Sequence, residues 1–157
     1  MEVLTGSCRL GLWHVQVTWS GNTVHRIRFA TTGSTGPVPE EIQKYCAGHP
    51  IDLTRFDSVA PRDDSVYARI YRAVQEIPYG STATYGEIAR IAGTSARVVG
   101  QAMARNPTPL VIPCHRVVAA DGIGGFSPSV EIKQELLALE KKGARKTTSG
   151  KRSNIPE

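Results

Sequence analysis

Cysteine is scarce in this chain, and its spacing argues against several classes of protein. Only three cysteines, Cys8, Cys46 and Cys114, occur among 157 residues. An odd number at wide spacing disfavours a disulfide framework and is typical of a reducing compartment, so we expect a cytoplasmic protein. No pair has the Cys-x-x-Cys spacing of a zinc site. We therefore expect no metal, although scattered histidines leave a weak alternative open near Cys8 and Cys46.

Long apolar runs are also missing. No stretch approaches the roughly 18 apolar residues that a membrane span needs. The first residues lack a basic segment followed by an apolar one, so we expect neither a signal peptide nor a membrane partner. Apolar residues make up 40% and charged residues 21% of the chain. This mixture is typical of a globular protein, with one ordinary domain or two small ones that share a core.

Most of the chain has no excess of positive charge. Basic and acidic residues number five of each over 1–60 and eight of each over 61–140. The net charge of +5 therefore lies entirely in 141–157. The basic residues of this segment are Lys141, Lys142, Arg145, Lys146, Lys151 and Arg152. Such a tail attracts phosphates in a salt-dependent way, and we expect it to be disordered over 143–157.

The first third of the sequence predicts a β-hairpin followed by a short helix. Apolar and polar residues alternate over 13–19, with the period of a half-buried strand. A Ser-Gly-Asn turn separates this run from a second one over 23–30. We expect the second strand to present on one face His25, Ile27 and Phe29. A loop over 31–39, a helix over 40–46 and a linker over about 57–64 follow.

Helices are predicted in the next part of the chain. Ser65 is a suitable N-cap, and apolar residues recur near a 3.6-residue period over 66–77. A Pro-Tyr-Gly sequence ends this helix. Two short helices over 85–92 and 95–105 follow, joined by a turn at Gly93-Thr94. This outline is that of a helix-turn-helix, and an ordinary αα corner has the same outline.

Cys114 differs from the other cysteines in its neighbours. It follows an apolar run over 110–112 and a proline, and it precedes His115 and Arg116. Such neighbours help a thiol to ionise, whereas most lone cysteines are small buried hydrophobes. Adjacent side chains of an extended segment point to opposite faces. A water, a local bend or a third group would therefore have to connect His115 with the thiol.

The last predicted helix, over about 130–142, offers such a third group. Its apolar stripe consists of Ile132, Leu136 and Leu139. Glu140 lies at the edge of this stripe, where a carboxylate needs a hydrogen-bond partner. We expect this partner to be His115, because the pairing would fix the tautomer of the imidazole and raise its basicity. The alternative is a Glu140 that is simply exposed in the last turn.

The second helix of the predicted helix-turn-helix has an outward face of mostly small side chains. This face consists of Arg97, Gly100, Gln101 and Ala104. The apolar face opposite consists of Val99, Ala102 and Met103. A small-sided face permits a close approach to another surface, such as a DNA groove. Arg97 in the first turn opposes the helix dipole, and Tyr85 opens the preceding helix, but both positions are also compatible with plain surface residues.

The run Ile112-Pro113-Cys114-His115-Arg116-Val117 resembles the active-site signature of the O6-alkylguanine-DNA alkyltransferases. The flanking sequences at 85–89, 97–100 and 106–107 are similar to those of the family as well. The resemblance is strong over 65–142 and loose before it. It implies DNA repair by irreversible, single-turnover transfer of the alkyl group from O6-alkylguanine, and less so from O4-alkylthymine, in duplex DNA. It implies no cofactor, a monomer by default and a place at the nucleoid.

The resemblance implies a role for each matching residue around the cysteine. Cys114 would be the alkyl acceptor, His115 would relay its proton through a water, and Glu140 would hold this histidine. Asn106 would link the helix-turn-helix to the strand that carries the active site. Arg116 would be structural and paired to an acid.

Other positions are implied to contact the DNA or the damaged base. Arg97 would fill the stack when the base is flipped out. Tyr85 would rotate the phosphate, line the pocket and protonate the departing guanine. Further DNA contacts are implied for Ser95, Ala96, Gly100 and Gln101. The lid of the pocket is implied to consist of Gly124, Gly125, Phe126 and Ser127. Phe126 replaces the commoner tyrosine and Pro128-Ser129 replaces a glycine pair, so we expect a stiffer lid that accepts fewer bulky alkyl groups.

The family resemblance also implies an architecture. We expect an α+β fold in which a small, ribonuclease-H-like β-sheet domain over 1–60 precedes a helical, winged-helix-like domain over 61–142, with the basic tail after it. The metal-binding cysteines of some members have no match here. Three rival functions remain: a lesion-binding relative without an acceptor cysteine, which Cys114 disfavours, a transcription regulator, and a cysteine hydrolase, which would need a separate base and an oxyanion hole.

Overall fold

Strands dominate the N-terminal third and helices the remainder of the computed structural model, which describes residues 2–154 and the side chains of residues 2–146. The mixed α+β architecture is the one that the sequence predicts. Strands β1 (Leu4–Leu10), β2 (Trp13–Ser20) and β3 (Thr23–Ala30) form an antiparallel meander. A two-residue strand, β4 (Asp57–Ser58), adds to β3 in parallel. The sheet order is therefore β1-β2-β3-β4.

Strand β1 is absent from the sequence prediction because its apolar alternation is weak. Only Gly6 and Leu10 of this strand are buried. A side chain at Gly6 would meet the carbonyl oxygens of Gly36 and Pro37 at 2.2 Å. The backbone of the following loop therefore covers this face of the strand instead of an apolar side chain.

The predicted hairpin of β2 and β3 is present, but one residue of β3 faces differently than expected. The register shifts by one residue near Thr18 and Trp19, so that Trp19 pairs with Val24 and Thr18 with Arg26. An extra residue on one strand reverses the alternation of side chains beyond it. Val24 is consequently buried, and His25 is half-buried with its ring bonded to Ser20.

The predicted short helices are present, and three of them begin at a side-chain cap. Helix α1 spans Glu40–Cys46 and α2 spans Val66–Gln75, the latter capped by Ser65. Helix α3 (Tyr85–Ala92) begins at a capping box in which Thr84 and Glu87 bond each other's backbone. Gly93, at a φ of 72°, ends it in the left-handed conformation. Helix α4 (Ala96–Ala104) follows and packs on α3, which gives a helix-turn-helix arrangement.

The last helix, α5, extends further than predicted. It spans Val130–Asn154 instead of ending near residue 142, so the expected disorder over 143–157 does not hold for 143–154. Residues 155–157 lie outside the described part. Gly143 allows the helix to pass close to Tyr79, because a side chain at 143 would meet the Tyr79 hydroxyl at 2.3 Å. Tertiary packing of this kind overrides weak local propensity.

Two apolar clusters form the core, and α5 belongs to the one that surrounds the sheet. Ile132 and Leu136 of α5 pack there with Leu110 and with residues of β2, β3 and α1. The second cluster joins α2, α3 and α4 to Ile112 and Val117. The residues around Cys114 therefore lie where the two clusters meet. None of the helices in the described part of the chain combines the length and apolar character that a membrane crossing requires.

Candidate active site

Cys114 opens a single 3-10 turn, Cys114–Arg116, at the junction of the two clusters. This turn differs from the extended segment that the sequence predicts, because the backbone nitrogen of Arg116 donates to the carbonyl of Pro113 at 2.9 Å. The strand that follows, β6 (Val117–Val118), is only two residues long and pairs with β5 (Ala83–Thr84) in parallel. Because the segment turns, the adjacent side chains of Cys114 and His115 are both buried, which an extended strand with one exposed face would not allow.

A pocket of about 530 Å³ opens beside Cys114. It is bounded by α3 at Tyr85, by α4 at Gly100 and Met103, and by the loop before α5. Strand β3 forms a further wall through Ile27, Arg28 and Phe29. Predicted site residues that line this pocket are Cys114, Tyr85, Asn106, Gly100, Gly125, Phe126 and Ser127.

The Cys114 thiol is protonated at rest. Burial raises its pKa to about 11, against a hydrogen bond from Asn106 and the charge of Lys133, which lower it. With a pKa four units above neutrality, roughly one molecule in ten thousand carries a thiolate at pH 7. A nucleophile at this position therefore depends on a base that takes the proton during the reaction.

The ring of His115, which follows Cys114 in sequence, is held by Glu140. It is 1% exposed, and its Nε2 lies 2.6 Å from Oε2 of Glu140. Because the carboxylate accepts the Nε2 proton, the neutral ring keeps Nδ1 as its acceptor. Nδ1 is buried without a hydrogen-bond partner in the described part of the chain. The predicted contact between His115 and Glu140 is thus present, while no direct bond from Nδ1 to the Cys114 thiol is formed.

Glu140 is buried and surrounded by donors. Besides His115 it accepts from Nε and Nη2 of Arg116, at 2.9 and 3.0 Å, and from the backbone nitrogen of Gly80 at 3.0 Å. Burial opposes its ionisation, but the hydrogen bonds from His115 and Arg116 and the charge of Arg116 outweigh burial and hold the pKa of Glu140 well below its usual value. Arg116 is paired to an acid, as the resemblance implies, and it also donates to the carbonyl of Ile77.

Two buried side chains near this pair were missed by sequence reasoning. Lys133 is 0% exposed and donates to the carbonyls of Val117 and Gly125 at 2.6 and 3.2 Å. Its position three residues before Leu136 and seven before Glu140 places it on the same helical stripe, which is the signal that would have found it. Tyr45 of α1 donates its hydroxyl to Oε2 of Glu140. We call His115, Arg116, Lys133 and Glu140 the buried polar cluster.

Asn106 and Tyr85 line the same pocket as Cys114. Nδ2 of Asn106 donates to the carbonyl of Ile112 at 2.8 Å, which ties the end of α4 to the segment before Cys114. Burial, followed by the neighbouring Cys114, raises the pKa of Tyr85, so its phenol keeps its proton. The ring of Tyr85 also lies 5.7 Å from the Lys133 ammonium.

The outward face of α4 is open to solvent. Arg97 and Gln101 are exposed, while Gly100 is half-buried at the pocket. Ser95 and Ala96 are exposed at the start of the helix, where Ser95 caps it by accepting from Val98 at 3.3 Å. Of the predicted DNA-binding set, the structure therefore brings Gly100 and Tyr85 to the cysteine pocket. The remaining members lie on the adjoining surface: Arg97, Gln101, Ser95 and Ala96.

The loop over 124–128 forms one side of the pocket. Gly124 has a φ of 79°, and a side chain there would stand 3.2 Å from the Tyr85 ring and hydroxyl. The ring of Phe126 packs against Phe29 of β3, with centroids 5.7 Å apart. Of the four predicted lid residues, only Gly124 does not line the pocket.

No group of three or more potential metal ligands lies together in the described part of the chain. Cys8 and Cys46, which left a weak metal alternative open, influence each other's ionisation: the interaction of the two thiols lowers the pKa of Cys8 and raises that of Cys46.

A family comparison agrees with this arrangement. The sequence profile of the 6-O-methylguanine DNA methyltransferase DNA-binding domain matches residues 65–142. A methylated-DNA–protein-cysteine methyltransferase of Methanopyrus kandleri is 46% identical over 102 residues, which cover 64% of this chain and 76% of the relative. The chain belongs to this methyltransferase family. A second relative of that name, from Metallosphaera sedula, is 47% identical over 89 residues, 55% of this chain and 57% of its own length.

Solved structures of the family extend the similarity to most of the chain. The Mycobacterium tuberculosis O6-methylguanine methyltransferase superimposes with a TM-score of 0.72 at 28% identity, covering 90% of this chain and 94% of that one. The enzyme of Pyrococcus kodakaraensis superimposes with a TM-score of 0.63 at 30% identity, covering 87% and 97%. The N-terminal sheet therefore belongs to the shared fold, although its sequence resembles the family only loosely.

Proposed function

We propose that this protein repairs DNA by moving the alkyl group of O6-alkylguanine onto Cys114, once per molecule. The observation that carries the proposal is the buried thiol that lines a pocket large enough for a purine base, next to a histidine whose free nitrogen is an acceptor. Family membership supports the same reaction. A Mycobacterium tuberculosis relative of similar fold, with a TM-score of 0.71, has been solved in complex with DNA, which supports duplex DNA as the partner.

The chemistry follows from the protonation states of the site. The Cys114 proton passes to Nδ1 of His115, through a bridging water as the resemblance implies. The thiolate attacks the alkyl carbon in line, a C–S bond forms, and the bond from carbon to O6 breaks. The electron pair of that bond stays on guanine, which takes a proton from the phenol of Tyr85. Glu140 stabilises the imidazolium that forms.

The target base reaches the pocket only outside the duplex. Flipping a base costs a few kcal/mol of unstacking, less when the base is poorly paired. We propose that α4 lies against the DNA and that Arg97 occupies the gap left by the base. Ser95, Ala96 and Gln101 would contact the backbone beside it, where exposed groups position the duplex. The small outward face of α4 supports this close approach.

The product explains why the protein acts once. A thioether is stable, because water at neutral pH does not displace a thiolate from an alkyl carbon, so the alkyl group stays on Cys114. Every group proposed for the reaction comes from one chain, which supports a monomer as the working form. The proposed substrate, chromosomal DNA, supports a location at the nucleoid. Activity on O4-alkylthymine is proposed as the weaker one, by family resemblance.

The test is the intact mass of the protein after incubation with duplex DNA that contains O6-methylguanine. We expect a gain of one methyl group per molecule, on Cys114, and then no further reaction. Cys114→Ala is expected to abolish transfer and to keep DNA binding, whereas Cys46→Ala, the matched control, should transfer normally. Catalytic turnover, or methyl transfer by the Cys114→Ala variant, would contradict the proposal.

A further inference from the structure

Tyr45 brings a phenol from the N-terminal region into the buried polar cluster. The spacing of Ile42, Tyr45 and Cys46 gives α1 one buried face, and Tyr45 is 1% exposed on it. Its hydroxyl donates to Oε2 of Glu140 and lies 3.3 Å from Nε2 of His115. The ring packs edge-on against Tyr79, with centroids 6.1 Å apart.

We propose that Tyr45 is a positioning residue for alkyl transfer, which holds Glu140 from the N-terminal side and thereby sets how readily His115 takes the Cys114 proton. This inference rests on the proposed function of Cys114 as alkyl acceptor. It gives the N-terminal region a part in the chemistry, beyond support of the sheet.

Tyr45 affects His115 through Oε2 of Glu140, the acceptor that both residues share. This oxygen accepts at once from the Tyr45 hydroxyl, from Nε2 of His115 and from Nη2 of Arg116. Each donor draws on the same negative charge, so a hydrogen bond from one weakens the hold of the carboxylate on the others. A phenol has this effect without adding a charge to a buried site. The Tyr45 donation therefore restrains the stabilisation that Glu140 gives to a protonated His115.

The protonation states of the surrounding groups keep this arrangement in place. Burial, followed by the charge of Glu140, raises the pKa of Tyr45 well above its usual value, so the phenol stays a donor. Burial lowers the pKa of His115 while Glu140 raises it, and the balance is a neutral ring.

Other titratable or charged groups face the pair from several elements. Arg116 and Lys133 are cations that lower the pKa of His115. From the tyrosine side, the groups that face it are the phenol of Tyr79, the Cys46 thiol and the guanidinium of Arg116. The Cys114 thiol adds no charge at rest. Among these groups, Tyr45 is the neutral donor that bonds directly to the oxygen that holds His115.

Replacement by phenylalanine removes the donor and keeps the ring. Oε2 of Glu140 then has one partner fewer, its charge acts more fully on His115, and the pKa of His115 rises. The contact from the tyrosine to Glu140 is shorter than its 3.3 Å contact to His115, so the effect through Glu140 decides the sign. A protonated His115 cannot take the Cys114 proton, so transfer slows on the acid side.

The experiment compares the wild type, Tyr45→Phe and Tyr71→Phe. Tyr71 is 3% exposed and donates to the carbonyl of Ala102 at 2.9 Å, so its variant also loses one buried tyrosine hydrogen bond, outside the cluster. The rate of methyl transfer to Cys114 is measured in single turnover from pH 5 to 9. For Tyr45→Phe we expect the acid limb to move up by about half a pH unit, with a roughly threefold slower rate on that limb and little change at high pH.

A second readout does not depend on activity. The imidazole of His115 is titrated by NMR, with its signal identified by its loss in a His115→Gln variant. Tyr45→Phe should raise the pKa of this signal and Tyr71→Phe should leave it unchanged. If both variants melt at a lower temperature while pH profile and titration match the wild type, Tyr45 is merely structural and the inference is overturned. A lowered His115 pKa overturns it as well. A wild type that transfers no methyl group would contradict the proposed function instead.

Discussion

The outward face of α4 and the buried polar cluster behind Cys114 are built in opposite ways. Arg97 and Gln101 on α4 are exposed, and the face between them carries small side chains. The groups of the cluster are almost fully buried, and His115 and Arg116 are both bonded to Glu140. The face of α4 can therefore act only on what arrives from solvent, whereas the cluster acts on the proton of a single thiol. The effects of substitutions on the face of α4 should therefore depend on the DNA and on the salt concentration. The effects of substitutions in the cluster should depend on pH and include a loss of folding stability.

The largest effect is expected for Glu140→Gln, which should break the cluster. The amide cannot neutralise Arg116 or hold His115, and removal of one partner of a buried ion pair costs about 3–5 kcal/mol. We expect that loss in the free energy of unfolding at pH 7, measured by urea denaturation, and transfer slower by about 100-fold or more. Glu131→Gln, which changes an exposed carboxyl at the start of α5, is the control.

The acid dependence of this loss sharpens the same prediction. Because the pKa of Glu140 is held well below its usual value, its stabilisation is complete above the unfolded pKa of about 4.5 and disappears as pH falls towards the folded one. The difference between wild type and Glu140→Gln should therefore shrink below about pH 4.5. A difference that stays constant down to pH 3 would show that the carboxylate charge is not its source.

A smaller and more selective effect is expected for Arg97→Ala on the face of α4. If its side chain replaces the flipped base, repair of O6-methylguanine in duplex DNA should slow by about 10- to 100-fold, a part of the unstacking cost. Reaction with the free base O6-methylguanine should be unchanged. Arg9→Ala, which removes an exposed arginine on β1, should leave both rates alone. Equal losses on both substrates would remove the stacking role.

The smallest effect is expected from the basic C-terminal segment. Replacement of Lys151 and Arg152 by alanine should weaken DNA binding a few-fold at low salt and reduce the slope of affinity against salt by up to about 2. Lys44→Ala, which changes an exposed lysine on α1, should not alter the slope. Fluorescence anisotropy at several salt concentrations measures both. A loss of transfer rate at low salt would show that this segment does more than attract phosphates.

Much of the fold was predictable because local signals agree with tertiary structure in the helices. Ser65, Thr84 and Ser95 cap helices that begin where the sequence predicts them. The bulge that turns Val24 inward and the continuation of α5 past residue 142 were not predictable. Both depend on contacts with distant parts of the chain, such as that of Gly143 with Tyr79, which no local pattern records.

The candidate site was predictable to a different degree. A carboxylate on an apolar stripe requires a partner, and the contact of Glu140 with His115 followed from that rule. The same rule applied to Lys133 would have found it, since it shares the stripe. Tyr45 lies 70 residues from His115 in sequence, and a tyrosine on a buried helix face is ordinary, so only the folded structure reveals its bond to Glu140. The roles of the predicted DNA-binding residues stay predictions.

Helix α5 connects the N-terminal sheet with the turn that carries Cys114. Ile132 and Leu136 pack with the sheet, and Glu140 bonds to His115 of the turn. A cut near residue 60 would expose, on each fragment, the apolar surface that now packs between the sheet and α5. Neither fragment would then be a self-sufficient module for exchange between proteins. A protein that acquires the reactive cysteine by exchange of a segment would therefore have to acquire the N-terminal sheet with it.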